Sequence, residues 1–206
     1  MKIGIVGLGL IGGSMARSIK THTKHMVLGI DLKESEMKKA ELVGAIDGRL
    51  TDEEIGRCEV VIIALFPAQI VKYIESHAHL FSEGTRVFDC GGVKQMVCQP
   101  LREITKSAKW KFMGGHPMAG REFSGFSYSK DDLFEQASMI LTPAPEATME
   151  DRQWAKDFFI SIDITSADSS DRTMSRCKLF FDFADFFFVH IWKTTFLFKV
   201  MFYYYT

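Results

Sequence analysis

The chain has 206 residues, enough for one good-sized domain or one domain plus part of another. Its 47% hydrophobic and 25% charged residues, with a net charge of -1, offer neither a basic surface for nucleic acid nor an acidic excess typical of disorder. Cys58, Cys90, Cys98 and Cys177 form no C-x-x-C pair, which argues against a zinc site or a disulfide framework and fits a cytoplasmic location.

The opening residues loosely imitate a signal peptide, but Gly4, Gly7, Gly9, Gly12 and Gly13 make a poor signal helix, so secretion is not expected. Ile3 to Val6 reads as a short buried strand and Gly12 to about Lys20 as a helix. Met26 to Ile30 is a second strand, ending at Asp31. Lys33 to Val43 is helical, with Met37 and Ala40 at helical spacing and Glu34 four residues before Lys38. Glu59 to Ala64 is the clearest buried strand, β-branched and almost continuously apolar. Pro67 opens a helix that runs to about His77. Thr85 to Asp89 reads as strand, Val93 to about Lys106 as helix, and Trp110 to Met113 as strand. Ala137 to Leu141 is a further strand, stopped by Pro143 and Pro145. Ala147 to Phe159 is a helix and Ile160 to Thr165 a last short strand. Strands alternating with helices imply a mainly parallel sheet covered on both faces.

Gly7-Leu8-Gly9-Leu10-Ile11-Gly12 is G-x-G-x-x-G, placed after a strand and opening a helix. Gly7 permits the tight turn, Gly9 lets a pyrophosphate approach the backbone, and Gly12 lets the helix pack on the strand. The N–H groups of Leu10, Ile11 and Gly12 then face the phosphates, helped by the helix dipole. Asp31 suits both ribose hydroxyls of an adenosine and repels a 2′-phosphate, which favours NAD over NADP; Lys33 weakens that preference slightly. The expected fold is therefore α/β, a Rossmann-like doubly wound sheet.

Gly114-Gly115-His116-Pro117-Met118-Ala119-Gly120-Arg121-Glu122-Phe123-Ser124-Gly125 carries the second signal. Glycine and proline at this density predict a fixed loop, neither helix nor strand, that presents His116 for chemistry near neutral pH. Arg121 fits either a substrate carboxylate or a solvated loop position. Lys94 fits either an anion at a helix start or, as the preferred reading, a surface lysine, and His22-x-x-His25 and His77-Ala78-His79 read as exposed histidines without a third metal ligand.

The glycine-rich opening, the Asp89-Cys90-Gly91-Gly92-Val93-Lys94 segment and the Gly114–Gly125 stretch together resemble the prephenate dehydrogenases of tyrosine biosynthesis, over about residues 1 to 176. That resemblance implies NAD-dependent oxidative decarboxylation of prephenate to 4-hydroxyphenylpyruvate. It makes His116 the group that takes the ring-hydroxyl proton and gives Glu122 a gating or orienting role. Gly92 stands where many members have a serine that touches the same hydroxyl. The alternatives are arogenate dehydrogenase, with the same chemistry on the aminated substrate, and an inactive NAD-binding remnant. No nucleic-acid or membrane partner is expected.

The resemblance fades at Ala167–Ser175, where Ser170 takes the place of a family histidine. We expect an NAD-binding domain over 1–166, then over 167–206 the start of an interdomain helix followed by an aberrant aromatic-rich tail. The family is homodimeric through a helical domain not recognisable here. The crowding of Phe and Tyr after Cys177 suggests a reading-frame error near that codon, with NAD binding retained and turnover reduced. Sequencing the DNA there tests it, because neither alternative frame restoring helical-domain sequence would defeat the idea.

Overall fold

Four β-branched residues with no polar interruption, Val60-Val61-Ile62-Ile63, form a strand in which every residue is buried. Such a strand needs cover on both faces. The computed structural model, which describes residues 1–168, supplies it with helices above and below an eight-stranded sheet.

The chain runs β1 (Lys2–Val6), α1 (Leu10–His22), β2 (Met26–Ile30), α2 (Glu34–Leu42), β3 (Gly48–Arg49) and α3 (Asp52–Ile55). It continues through β4 (Val60–Ile63), α4 (Pro67–His77), β5 (Arg86–Asp89), α5 (Lys94–Ser107) and β6 (Lys111–Pro117). It closes with β7 (Ser138–Pro143), α6 (Met149–Ser161) and β8 (Thr165–Asp168). Strand order is β3-β2-β1-β4-β5-β6-β7-β8. All neighbours are parallel except β6 and β7, which pair antiparallel. The order reverses between β1 and β4, and a crevice outside the carboxyl ends of the strands at such a point is where doubly wound sheets bind ligands.

Strand alternation divides the core in two. Ile3, Ile5, Ile62, Phe88 and Met113 face α1, α2 and α6 through Met15, Met37 and Phe159. Val6, Val61, Ile63, Val87 and Phe112 face α4 and α5 through Ile70, Ile74, Val97 and Leu101. Full burial of one such side chain contributes about 1.5–3 kcal/mol.

Three expectations change. Gly114 to Pro117 is strand, not loop: Gly114 pairs with Thr142, Gly115 with Leu141, His116 with Ile140 and Pro117 with Met139. Here glycine serves close packing, since a Cβ on Gly115 would lie 2.5 Å from the Asp89 carbonyl oxygen. The last strand begins at Thr165 because α6 runs on to Ser161 and turns through Asp163 at φ 60°. β3 and α3 were not expected; two residues of strand and one turn of helix carry too little periodicity to read. The tail from Cys177 and the substitution at Ser170 lie outside the described residues. No helix among the described residues is long and apolar enough to cross a membrane.

Candidate active site

The first half of the site is the turn between β1 and α1. Gly7 sits at φ +87° and donates its N–H to the Ile30 carbonyl at 2.8 Å. A Cβ on Gly12 would lie 1.8 Å from the Gly7 carbonyl oxygen, so only glycine lets α1 start against β1. Gly9 differs: a Cβ there would meet no protein atom within 4 Å. Packing does not require glycine at that position, whereas a ligand lying against the backbone would. The N–H groups of Leu10, Ile11 and Gly12 open α1 and have no partner within the helix; the first intrahelical bond runs from Gly13 N–H to the Gly9 carbonyl at 2.9 Å.

Asp31 is fastened to this turn. Its carboxylate accepts the Leu8 N–H and the Lys33 N–H, each at 2.8 Å. The acid at the end of β2 is thus fastened to the turn that holds the open position at Gly9. The two glycines separate experimentally. Gly9→Ala leaves the melting temperature unchanged and weakens dinucleotide binding, whereas Gly12→Ala costs about 3 kcal/mol of stability by overpacking. Thermal denaturation and a dinucleotide titration of both variants check this, and equal melting temperatures for the two would contradict it.

The second half lies where β5 and β6 end, at the same carboxyl edge of the sheet. Asp89 is fully buried and accepts the Gly91 N–H at 2.8 Å and the Gly115 N–H at 3.2 Å. Lys94, at the first position of α5, donates to the Asp89 carboxylate and to the Gly115 carbonyl, the latter at 2.5 Å. Of the two readings of Lys94, the surface one gives way to the anion at a helix start: its side chain is 19% exposed and clamps β5 to β6. Burial pushes the Asp89 carboxyl up, and Lys94 and the two backbone N–H groups oppose that push.

His116 follows Gly115 on β6. Burial, and secondarily the positive charge of Lys94, push its imidazole down to about 4. It is neutral throughout the physiological range. Its Nδ1 is buried. Gly92, which is exposed, lies against the opposite part of the ring: a Cβ there would sit 3.5 Å from both Cε1 and Nε2. The structure thus brings Gly92 and His116 together, with room for a larger residue at position 92.

Arg121 and Glu122 are exposed, and neither makes a hydrogen bond or ion pair among the described residues. They lie on the segment between β6 and a 3-10 turn at Phe126–Tyr128. That turn docks on the first half of the site. Phe126 is buried and donates its N–H to the Glu36 carboxylate on α2 at 2.6 Å. A Cβ on Gly13 would lie 2.7 Å from the Phe126 ring. Arg17 stands over the same ring at 4.8 Å and donates to the Ser129 hydroxyl at 2.9 Å, and Lys130 N–H reaches Ser14 Oγ at 2.9 Å. Sequence reading passed over Glu36 and Phe126 in the architecture of the site, and neither left a local signal.

Of the other histidines, His77 stacks on Tyr73 with ring centroids 4.0 Å apart and donates from Nδ1 to the Tyr73 carbonyl. No group of three or more His, Cys, Asp or Glu side chains is placed to hold a metal among the described residues.

Comparison with known proteins bears on this geometry. Residues 15–165 match the family described as prephenate dehydrogenase, nucleotide-binding domain. Prephenate dehydrogenase of Bacillus subtilis is 38% identical over 143 residues, which are 68% of this chain and 38% of that protein. The solved prephenate dehydrogenase of A. aeolicus, in complex with hydroxyphenyl propionate and NAD+, superposes with a TM-score of 0.74 at 28% identity. It covers 82% of this chain and 60% of that one. Synechocystis arogenate dehydrogenase superposes with a TM-score of 0.75 at 25% identity, covering 82% of this chain and 59% of that one. The chain thus spans well under two thirds of the length of these relatives.

Proposed function

The chain belongs to the prephenate dehydrogenase family, and from that premise we propose that it binds NAD and serves the oxidative decarboxylation of prephenate. One observation carries the reading. A neutral histidine closes β6 at the same sheet edge as a glycine turn whose Gly9 is open and whose Asp31 is fastened beside it.

In this reading the N–H groups of Leu10, Ile11 and Gly12 hold the pyrophosphate, and Asp31 takes the adenosine ribose hydroxyls with the acceptor capacity its two backbone bonds leave free. NAD, when bound, supplies the acceptor for the hydride. His116 accepts the ring-hydroxyl proton at Nε2, the nitrogen that faces exposed Gly92. The hydroxyl carbon gives up its hydrogen as hydride, the C–C bond to the ring carboxylate breaks to release CO2, and its electron pair aromatises the ring to a phenolate that takes the proton back from His116. At Gly92 no side-chain hydroxyl assists, so His116 carries the contact with backbone or water. Arg121 binds a substrate carboxylate, and Glu122 orients or gates at the mouth of the pocket. For these 206 residues by themselves we propose NAD binding with weak turnover, since they match only 38% of the Bacillus subtilis relative and about 60% of the solved ones.

The likeness to Synechocystis arogenate dehydrogenase supports a second reading, the same chemistry on arogenate. The experiment is a titration of the purified chain with NAD and NADP, followed by assays on prephenate and arogenate. NAD binding about tenfold tighter than NADP is the expected result. NADP binding as tightly as NAD would sink the assignment of Asp31. Binding without any turnover selects the inactive remnant.

A further inference from the structure

A cavity of about 250 Å³ lies at the opposite pole of the sheet from Gly9 and His116, where β5 and β6 begin. Arg86, Phe88, Trp110, Lys111 and Phe112 line it, with Lys106 at the end of α5 and Ala147 ahead of α6. Arg86 is the unusual member. Its guanidinium stands over the Trp154 ring at 4.0 Å. Its Nε is buried without a hydrogen-bond partner, and among the described residues the guanidinium makes no ion pair. A buried Nε–H without an acceptor is costly unless something else supplies one.

We propose that this cavity is a second binding site, specific for a small aryl carboxylate. The chemistry of the walls selects that class. The guanidinium fork matches a carboxylate in plane and in spacing. Trp110 and Phe112 give the cavity an aromatic side suited to a flat ring, and Phe88 reaches it from the other face of the sheet. The volume falls below the roughly 300 Å³ at which drug-sized pockets begin, so the ligand is small. Glu146 and Asp151 also line the cavity and limit the ligand's charge. Asp151 is already engaged by Lys111 at 3.6 Å and by the Thr148 hydroxyl at 2.8 Å, so those cations and donors are not spare for a phosphate dianion. A monoanion is favoured. The site is separate from the nucleotide turn, and its occupancy is independent of the assignment of NAD.

The test is a titration of the full chain with benzoate, followed by tryptophan fluorescence, since Trp110 lines the cavity and Trp154 underlies Arg86. A saturable change is expected, with benzamide and inorganic phosphate each binding about tenfold more weakly, the loss of one charge-assisted pair. Arg86→Met is expected to weaken benzoate by a similar factor while NAD binding stays as in the parent chain. Absence of saturation, an unchanged Arg86→Met affinity, or equal binding of benzamide or phosphate would each overturn the proposal. If Arg86→Met fails to fold, Ala147→Phe fills the cavity while leaving Arg86 in place. Benzoate binding that survives that substitution overturns the proposal equally.

Discussion

With His116 as the proposed base, His116→Asn is expected to lower kcat for prephenate by about 10²- to 10⁴-fold and leave NAD affinity unchanged, the range for losing a general base. The substitution removes the proposed proton acceptor and touches nothing at Gly7–Gly12. The pH dependence gives an independent check. The imidazole is pushed down to about 4, first by burial and then by Lys94. The neutral, proton-accepting form therefore persists well below the usual histidine range. A kcat/KM profile should show no loss as pH falls from 8 to about 5, and a loss only as the imidazole protonates near 4. Stability follows the same sign. The folded chain resists protonating His116, so this contribution is present above the unfolded value of 6.5 and is lost as pH falls toward 4. A kinetic inflection near 6.5 that vanishes in His116→Asn would contradict the buried, neutral assignment.

Lys94→Met destabilises the fold by about 3–5 kcal/mol, because it leaves the Asp89 carboxylate buried without its cation. Asp89 is fully buried and Lys94 is 19% exposed, so solvent cannot replace the lost partner. Replacing both partners is milder, since an uncharged pair leaves no stranded charge. Asp89→Asn combined with Lys94→Met should recover most of the loss. Urea unfolding of the single and double variants measures it. A single-variant loss below about 1 kcal/mol would place the pair among weakly coupled surface contacts. The clamp also fixes the residue next to His116, since Lys94 holds the Gly115 carbonyl and Asp89 the Gly115 N–H. The placement of His116 thus depends on a charge pair one residue away on β6.

Much of this was legible from residue order. Met26–Ile30 and Pro67–His77 have the expected bounds, because a continuous apolar run and an N-terminal proline are local signals. The glycine turn and Asp31 were legible for the same reason: strand, turn and acid form one short unit. Gly114–Pro117 was not, because glycine-rich sequence becomes strand only when a partner arrives, and β7 lies more than twenty residues downstream. Of the two readings of Lys94, the surface one was preferred for a related reason. Nothing adjacent in sequence says that a buried carboxylate waits at the end of the neighbouring strand. Arg121 and Glu122 were picked out by pattern, and the described residues give them position without partners.

The stretch from Met118 to Gly125 is moored at both ends. At one end Pro117 is knitted to Met139, and at the other Phe126 is wedged against Gly13 and Glu36. Arg121 and Glu122 therefore hang from a short span whose two abutments are β6 and the pair α1 and α2. The span can bow or tighten but cannot drift away, so whatever these two side chains touch is chosen by the separation of its anchor points.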